Sequence, residues 1–181
     1  MLNEGKILVI DDELFSREYF QKILTKIDCR VVTETTGSDG LKTLKASSYD
    51  LVILDIRLPD ADGIEILRQI KEMNSLMPVI IITAYGTVEN AVRAMKLGAF
   101  DFLMKPFDET EKVLITMKNA IYQGRLEREN LSLKNRLKSE ALFSNIIGRS
   151  GSMQRVFELV KKASEVDSNV LIEGESGTGK E

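Results

Sequence analysis

Four short, unbroken apolar runs constrain this chain more than any other feature: Ile7-Leu8-Val9-Ile10, Leu51-Val52-Ile53-Leu54, Val79-Ile80-Ile81-Ile82 and Phe102-Leu103-Met104. A strand with one wet face alternates apolar and polar residues, so continuous runs of this length point to strands covered on both faces. Val31-Val32-Thr33 supplies a fifth, more polar strand suited to a sheet edge. Helical spacing fills the intervals, as in Phe20, Ile23, Leu24 and Ile27, or in Val88, Ala91, Val92 and Met95, with Gly98 placed to end the latter helix. The resulting order is βαβαβαβαβα. Parallel strands joined by right-handed crossovers need helices on both faces, and the expected fold is α/β, a five-stranded doubly wound parallel sheet in the order 2-1-3-4-5. It should occupy residues 5–122.

Beyond Phe107 a charged, proline-free stretch runs to about Phe143 and reads as one long helix, interrupted only by Gly124. Leu114, Met117 and Ile121 form one apolar stripe; Leu126, Leu133 and Leu137, with Asn130, form another that is offset from the first. The register shifts near Gly124, so the stripes read as two short seams of a dimerising coiled coil, with Asn130 fixing its register and residues 123–143 as the helical linker. A solvated spacer helix is the plainer alternative. The 181 residues accommodate one ordinary domain and a remainder, here 144–181, too small to be a second.

Composition narrows the chemistry. No apolar run approaches the roughly 20 residues needed to span a bilayer, and Met1-Leu2-Asn3-Glu4-Gly5-Lys6 leads straight into the first strand, so the expectation is a cytoplasmic protein with no membrane partner. The net charge of −3 provides no positive field for nucleic acid. Cys29 has no internal partner, and the chain contains no histidine, the commonest metal ligand and general base. Carboxylates, hydroxyls and lysine are left to do the work.

In an open parallel sheet, ligands bind beyond the carboxyl ends of the strands near the point where strand order reverses. Asp11 and Asp12 follow the first strand, Asp55 the third, Thr83 the fourth and Lys105 the fifth, so all five should converge on one shallow pocket. Any one of them alone has an ordinary explanation as a helix cap, a turn hydroxyl or a surface ion pair. Together they imply a site. Three neighbouring carboxylates repel one another unless a cation neutralises them, and all-oxygen ligation suits Mg²⁺. A carboxylate beside such an ion can attack phosphorus while Lys105 and the Thr83 hydroxyl hold the phosphoryl oxygens, giving an aspartyl phosphate.

The segments Ile7-Leu8-Val9-Ile10-Asp11-Asp12-Glu13, Leu54-Asp55-Ile56-Arg57-Leu58-Pro59-Asp60-Ala61-Asp62-Gly63, Ile82-Thr83-Ala84-Tyr85-Gly86 and Phe102-Leu103-Met104-Lys105-Pro106-Phe107 resemble the four signature blocks of response regulator receiver domains. That resemblance implies a flavodoxin-like, CheY-like fold, phosphorylation on Asp55, and Mg²⁺ held directly by Asp12, Asp55 and the Arg57 backbone carbonyl, with Asp11 assisting through water. It further implies that Lys105 pairs with the phosphate and precedes a cis proline, that Thr83 senses the phosphate, and that Phe102 is an aromatic switch. Movement of Thr83 toward the phosphate vacates space for Phe102 and shifts the surface of the fourth helix, fifth strand and fifth helix. The phosphodonor is then a sensor histidine kinase, and phosphorylation is expected to change how two receivers pair in a homodimer.

Near the C-terminus, Val170-Leu171-Ile172-Glu173 reads as a strand leading into Gly174-Glu175-Ser176-Gly177-Thr178-Gly179-Lys180, a glycine-rich loop of the kind whose amides and lysine cradle phosphates. The general motif wants Ser or Thr next, whereas this chain has Glu181. With Ile146-Ile147-Gly148-Arg149-Ser150, Met153, Val156 and Leu159-Val160, the segment resembles the opening of the AAA+ ATPase domain of NtrC-like sigma-54-dependent activators, in which glutamate at that position is usual. ATP is the cofactor so implied. Sigma-54 RNA polymerase and DNA are the implied partners, reached through parts beyond these residues. No ATP hydrolysis is expected from this segment alone.

Other enzyme and binding classes fit less well. A haloacid-dehalogenase-type phosphatase wants a second acid two residues after its nucleophile, where Arg57 stands. A flavodoxin-like electron carrier needs amides and hydroxyls around a flavin phosphate, where Asp11 and Asp12 stand. A dimerisation module with a degenerate site should lack some of the site residues, and here none is missing.

Overall fold

The computed structural model describes residues 5–84, 86–142, 150–164 and 171. Strands β1 (Lys6–Ile10), β2 (Arg30–Glu34), β3 (Leu51–Asp55), β4 (Val79–Thr83) and β5 (Asp101–Met104) alternate with helices α1 (Leu14–Thr25), α2 (Gly37–Ala46), α3 (Gly63–Met73), α4 (Val88–Lys96) and α5 (Thr110–Leu142). All pairings are parallel, and the strand order is β2-β1-β3-β4-β5, as the alternation of strand and helix predicts.

The apolar runs divide between two faces according to the two-residue period of a strand. Leu8, Ile10, Val52, Leu54 and Ile81 pack with Ile64, Leu67 and Ile70 of α3 and Ala94 of α4. Ile7, Val9, Leu51, Ile53, Ile80 and Ile82 pack with Phe20, Ile23 and Leu24 of α1 and with Val113, Met117, Ala120 and Ile121 of α5. β2 is only half-buried, as its polar sequence suggests for an edge. Side-chain caps mark three helix starts: Thr36 accepts from Asp39 N, Asp62 from Ile64 N and Thr87 from Asn90 N. Gly98, at φ +89°, follows the end of α4 in a backbone conformation that costs a residue with a side chain more.

Two sequence readings change on contact with the structure. The stripe of Leu114, Met117 and Ile121 lies against the sheet, with Met117 and Ile121 fully buried, so it is receiver core and no part of an intermolecular seam. Leu126, Leu133 and Asn130, by contrast, are exposed, while the side chain of Leu137 lies outside the described residues. In α4 the spacing of Val88, Val92 and Met95 marks the helix correctly, yet these side chains are exposed and Ala94 takes the buried position.

The chain divides into two compact units, the first ending at Leu131. In the second, α6 (Gly151–Ser164) is preceded by Ser150, whose Oγ accepts from Met153 N at 3.3 Å. Val156, Leu159 and Val160 of α6 are exposed. The phosphate-loop residues Gly174, Glu175, Ser176, Gly177, Thr178, Gly179 and Lys180 lie outside the described residues. Among the described residues, no helix is long and apolar enough to cross a membrane.

Candidate functional site

Strand register carries the polar residues to one edge of the sheet. Ile10 lies beside Leu54, so Asp11 and Asp55 emerge on neighbouring strands, and Thr83 lies beside Met104, which places Lys105 next to Thr83. Backbone bonds extend the pairing past the strand ends and fix these positions: Asp11 N donates to Glu34 O, Ile56 N to Ile82 O and Lys105 N to Thr83 O. On the far side of Asp55, Gly63 N donates to Ile56 O at 2.7 Å. A Cβ on Gly63 would lie 2.1 Å from the Asp55 carbonyl oxygen, so only glycine lets α3 approach the end of β3 this closely.

Asp11, Asp12 and Asp55 each offer a carboxylate oxygen, and these atoms lie within 4.8 Å of one another. Asp11 and Asp55 are buried, Asp12 is exposed, and Thr83 is almost fully buried. Lys105 Nζ sits 2.9 Å from Asp55 Oδ2, 2.9 Å from Asp11 Oδ2 and 2.8 Å from Glu13 Oε2. The Lys105–Pro106 peptide is cis. Arg57 N donates to Asp55 Oδ1 at 3.3 Å, while Asp11 Oδ1 accepts from Glu13 N and Arg17 Nη1 donates to the Asp11 carbonyl. Phe102 is half-buried, packed on the α3 side of the sheet and close to Gly86.

Asp11, Asp12, Asp55 and Lys105 thus meet in one cluster, and the backbone of Thr83 runs beside that of Lys105. Two further participants, Glu13 and Arg17, escape the strand-end rule because they act from the N-terminal end of α1, Glu13 as its N-cap residue. Glu13 directly follows the aspartate pair, and that adjacency is the only trace it leaves in the sequence.

The electrostatics of the cluster are unbalanced. Burial pushes the Asp55 carboxyl above its ordinary value and Asp11 adds to the rise, while the Lys105 ammonium pulls it down. Burial also works against the charge of Lys105, but bonds to Glu13, Asp11 and Asp55 outweigh it and hold the ammonium above its usual value. Asp11 Oδ2 is buried and takes no hydrogen bond beyond its ion pair with Lys105. One ammonium among four carboxylates leaves a local negative excess, and the oxygen-only donors are those of a hard divalent cation such as Mg²⁺. The residues therefore fit that ion.

The sequence matches the model of the response regulator receiver domain over residues 7–116. The chain belongs to the response regulator family. Residues 146–181 also match the sigma-54 interaction domain, so the receiver is followed by the start of an activator module. The transcriptional regulator NtrC of Proteus hauseri is 37% identical over 99% of this chain and 37% of its own length. The C4-dicarboxylate transport transcriptional regulatory protein DctD of Pseudomonas aeruginosa is 38% identical over 98% of the chain and 38% of its own length. The chain thus spans a little over a third of these relatives. Among solved structures, NtrX from Brucella abortus is 30% identical with a TM-score of 0.68, covering 98% of this chain and 38% of that one. A receiver domain from Clostridium thermocellum is 39% identical with a TM-score of 0.62, covering 67% of this receiver-containing chain and 98% of its own.

Proposed function

We propose that this response regulator accepts a phosphoryl group on Asp55 from the phosphohistidine of a sensor histidine kinase and later loses it to water. The observation supporting this most strongly is the meeting of the Asp11, Asp12 and Asp55 carboxylates within 4.8 Å, with the Lys105 ammonium 2.9 Å from Asp55 Oδ2.

An Asp55 oxygen attacks phosphorus, the phosphorus–nitrogen bond of the phosphohistidine breaks, and the imidazole leaves with the electron pair and takes a proton. Lys105 pairs with a phosphoryl oxygen and limits the build-up of negative charge. The Thr83 hydroxyl binds another. Asp12, Asp55 and the Arg57 carbonyl would hold Mg²⁺ beside Asp11, and the ion would supply charge neutralisation for the incoming phosphoryl oxygens. Burial of Asp11 and Asp55 keeps the reacting carboxylate out of bulk water and strengthens each of these contacts.

The signal passes from Thr83 to Phe102 and on to the surface of α4, β5 and α5, where it alters pairing of the receiver in a homodimer. Exposed Leu126 and Leu133 of α5 extend that pairing into the linker. In the full-length, cytoplasmic protein the output is an ATP-driven activator that acts on sigma-54 RNA polymerase at DNA, with Gly174–Lys180 forming part of its nucleotide site. The experiment is intact-mass measurement after incubation with acetyl phosphate, with and without Mg²⁺. One phosphoryl group is expected on the parent with Mg²⁺ and none on Asp55→Asn; no addition to the parent refutes the assignment.

A further inference from the structure

Glu13 is the N-cap residue of α1, in extended backbone conformation, yet its side chain makes no capping hydrogen bond. Its backbone is held on both sides, by Asp11 Oδ1 accepting from Glu13 N and by the Glu13 carbonyl accepting from Arg17 N. The carboxylate instead crosses the site to Lys105, 92 residues away in sequence, with Oε2 2.8 Å from Nζ.

An ammonium has three protons and no acceptor. The ammonium of Lys105 donates to Glu13 Oε2 and Asp55 Oδ2 and lies 2.9 Å from Asp11 Oδ2, so three anions already crowd it where a phosphoryl oxygen must approach. One partner must release it when a phosphoryl group arrives. The side chains of Asp11 and Asp55 are 0% and 6% exposed and lose more on giving up the ammonium, whereas that of Glu13 is 55% exposed and exchanges its ion pair for water at little cost.

Building on the reading of Asp55 as the phosphoryl acceptor, we propose that Glu13 is a positioning residue that competes with the phosphoryl group for Lys105, and so sets the balance between resting and phosphorylated receiver. A half-exposed pair of this kind corresponds to roughly a 1.5- to 5-fold change in an equilibrium constant.

The test is titration of the whole chain with beryllofluoride in the presence of Mg²⁺, followed by fluorine NMR, on the parent, Glu13→Gln and Glu13→Asp. Glu13→Gln removes the charge. Glu13→Asp keeps the charge at the same place but is one methylene too short to hold Nζ, and it returns the carboxylate to the helix cap. Both variants are expected to bind beryllofluoride about 1.5- to 5-fold more tightly than the parent. Unchanged or weaker binding by Glu13→Gln overturns the proposal. Tightening in Glu13→Gln alone also overturns it, because the effect then comes from the general field of the charge and not from contact with Lys105. A parent that binds no beryllofluoride removes the Asp55 reading and this inference together, whereas a binding parent with unaltered variants removes only this inference.

Discussion

Arg128 Nη2 of α5 lies 2.9 Å from Asp50 Oδ1, the residue that leads into β3, and Arg125 Nη2 approaches the other oxygen of the same carboxylate at 3.6 Å. Asp50 Oδ2 also accepts from Lys6 N at the start of β1. One side chain thus ties the beginnings of two central strands to the part of α5 that follows the buried stripe ending at Ile121. Gly124 reinforces the contact, since a Cβ there would lie 2.7 Å from Pro78 Cγ. The receiver therefore fixes the course of α5 as far as the turn that contains Arg128.

Replacement of Asp50 by alanine removes a half-buried acceptor of two hydrogen bonds and the ion-pair partner of Arg125, and is expected to cost about 1–2 kcal/mol. The loss should concentrate in the helix: amide exchange of residues 125–131 should accelerate more than that of β3. Asp50→Asn, which can still accept from Lys6 N, should cost less.

Gly63→Ala tests the close approach of α3 to β3. The added methyl meets the backbone oxygen of Asp55 at 2.1 Å, and no side-chain rotation relieves that contact. A loss of about 1–3 kcal/mol or more in urea unfolding is expected. Weaker Mg²⁺ binding should accompany it, because the carboxylate of Asp55 shifts with its backbone.

Asp55 ties stability to pH. Its raised value in the folded state means that the native protein keeps this proton longer than the unfolded chain, whose carboxyl has the ordinary value of 3.8. The stabilisation is complete below that ordinary value and is lost as pH rises through the higher folded value. At neutral pH without metal, Asp55→Asn should therefore melt above the parent, and the gap should shrink as pH falls toward 3.8. Adding Mg²⁺ should raise the parent's melting temperature and leave the variant's nearly unchanged.

Continuous apolar runs made β1, β3 and β4 legible in the sequence, because strands buried on both faces have no polar positions to spare. The site was legible for a related reason: strand ends in a parallel sheet fix where Asp11, Asp55, Thr83 and Lys105 must meet. Helix faces were harder. Periodicity locates α4 but does not say whether Val88 or Ala94 meets the sheet, since both sit at helical spacing and only tertiary contact chooses between them. The stripe of Leu114, Met117 and Ile121 has the same ambiguity between a core and a seam. Glu13 was hidden because its partner is distant in sequence and no strand-end rule covers a helix cap.

The outward face of α4 yields a prediction of its own. Val88 is 82% exposed and Val92 46%, so the double substitution Val88→Ser, Val92→Ser should change stability by no more than about 0.5 kcal/mol per site. Self-association of the beryllofluoride-loaded protein, followed by light scattering, should nevertheless fall if this face pairs receivers. Equal association of parent and variant excludes α4 from the dimer contact.

The most direct measurement locates the phosphoryl group itself. After incubation with acetyl phosphate and Mg²⁺, borohydride reduction converts an aspartyl phosphate to homoserine, and tryptic digestion releases residues 46–57, which contain both Asp50 and Asp55. Fragment masses should place homoserine at position 55, with Asp50, Asp11 and Asp12 unaltered. Homoserine at any of those three positions, or at none, contradicts the assignment of Asp55 as the acceptor.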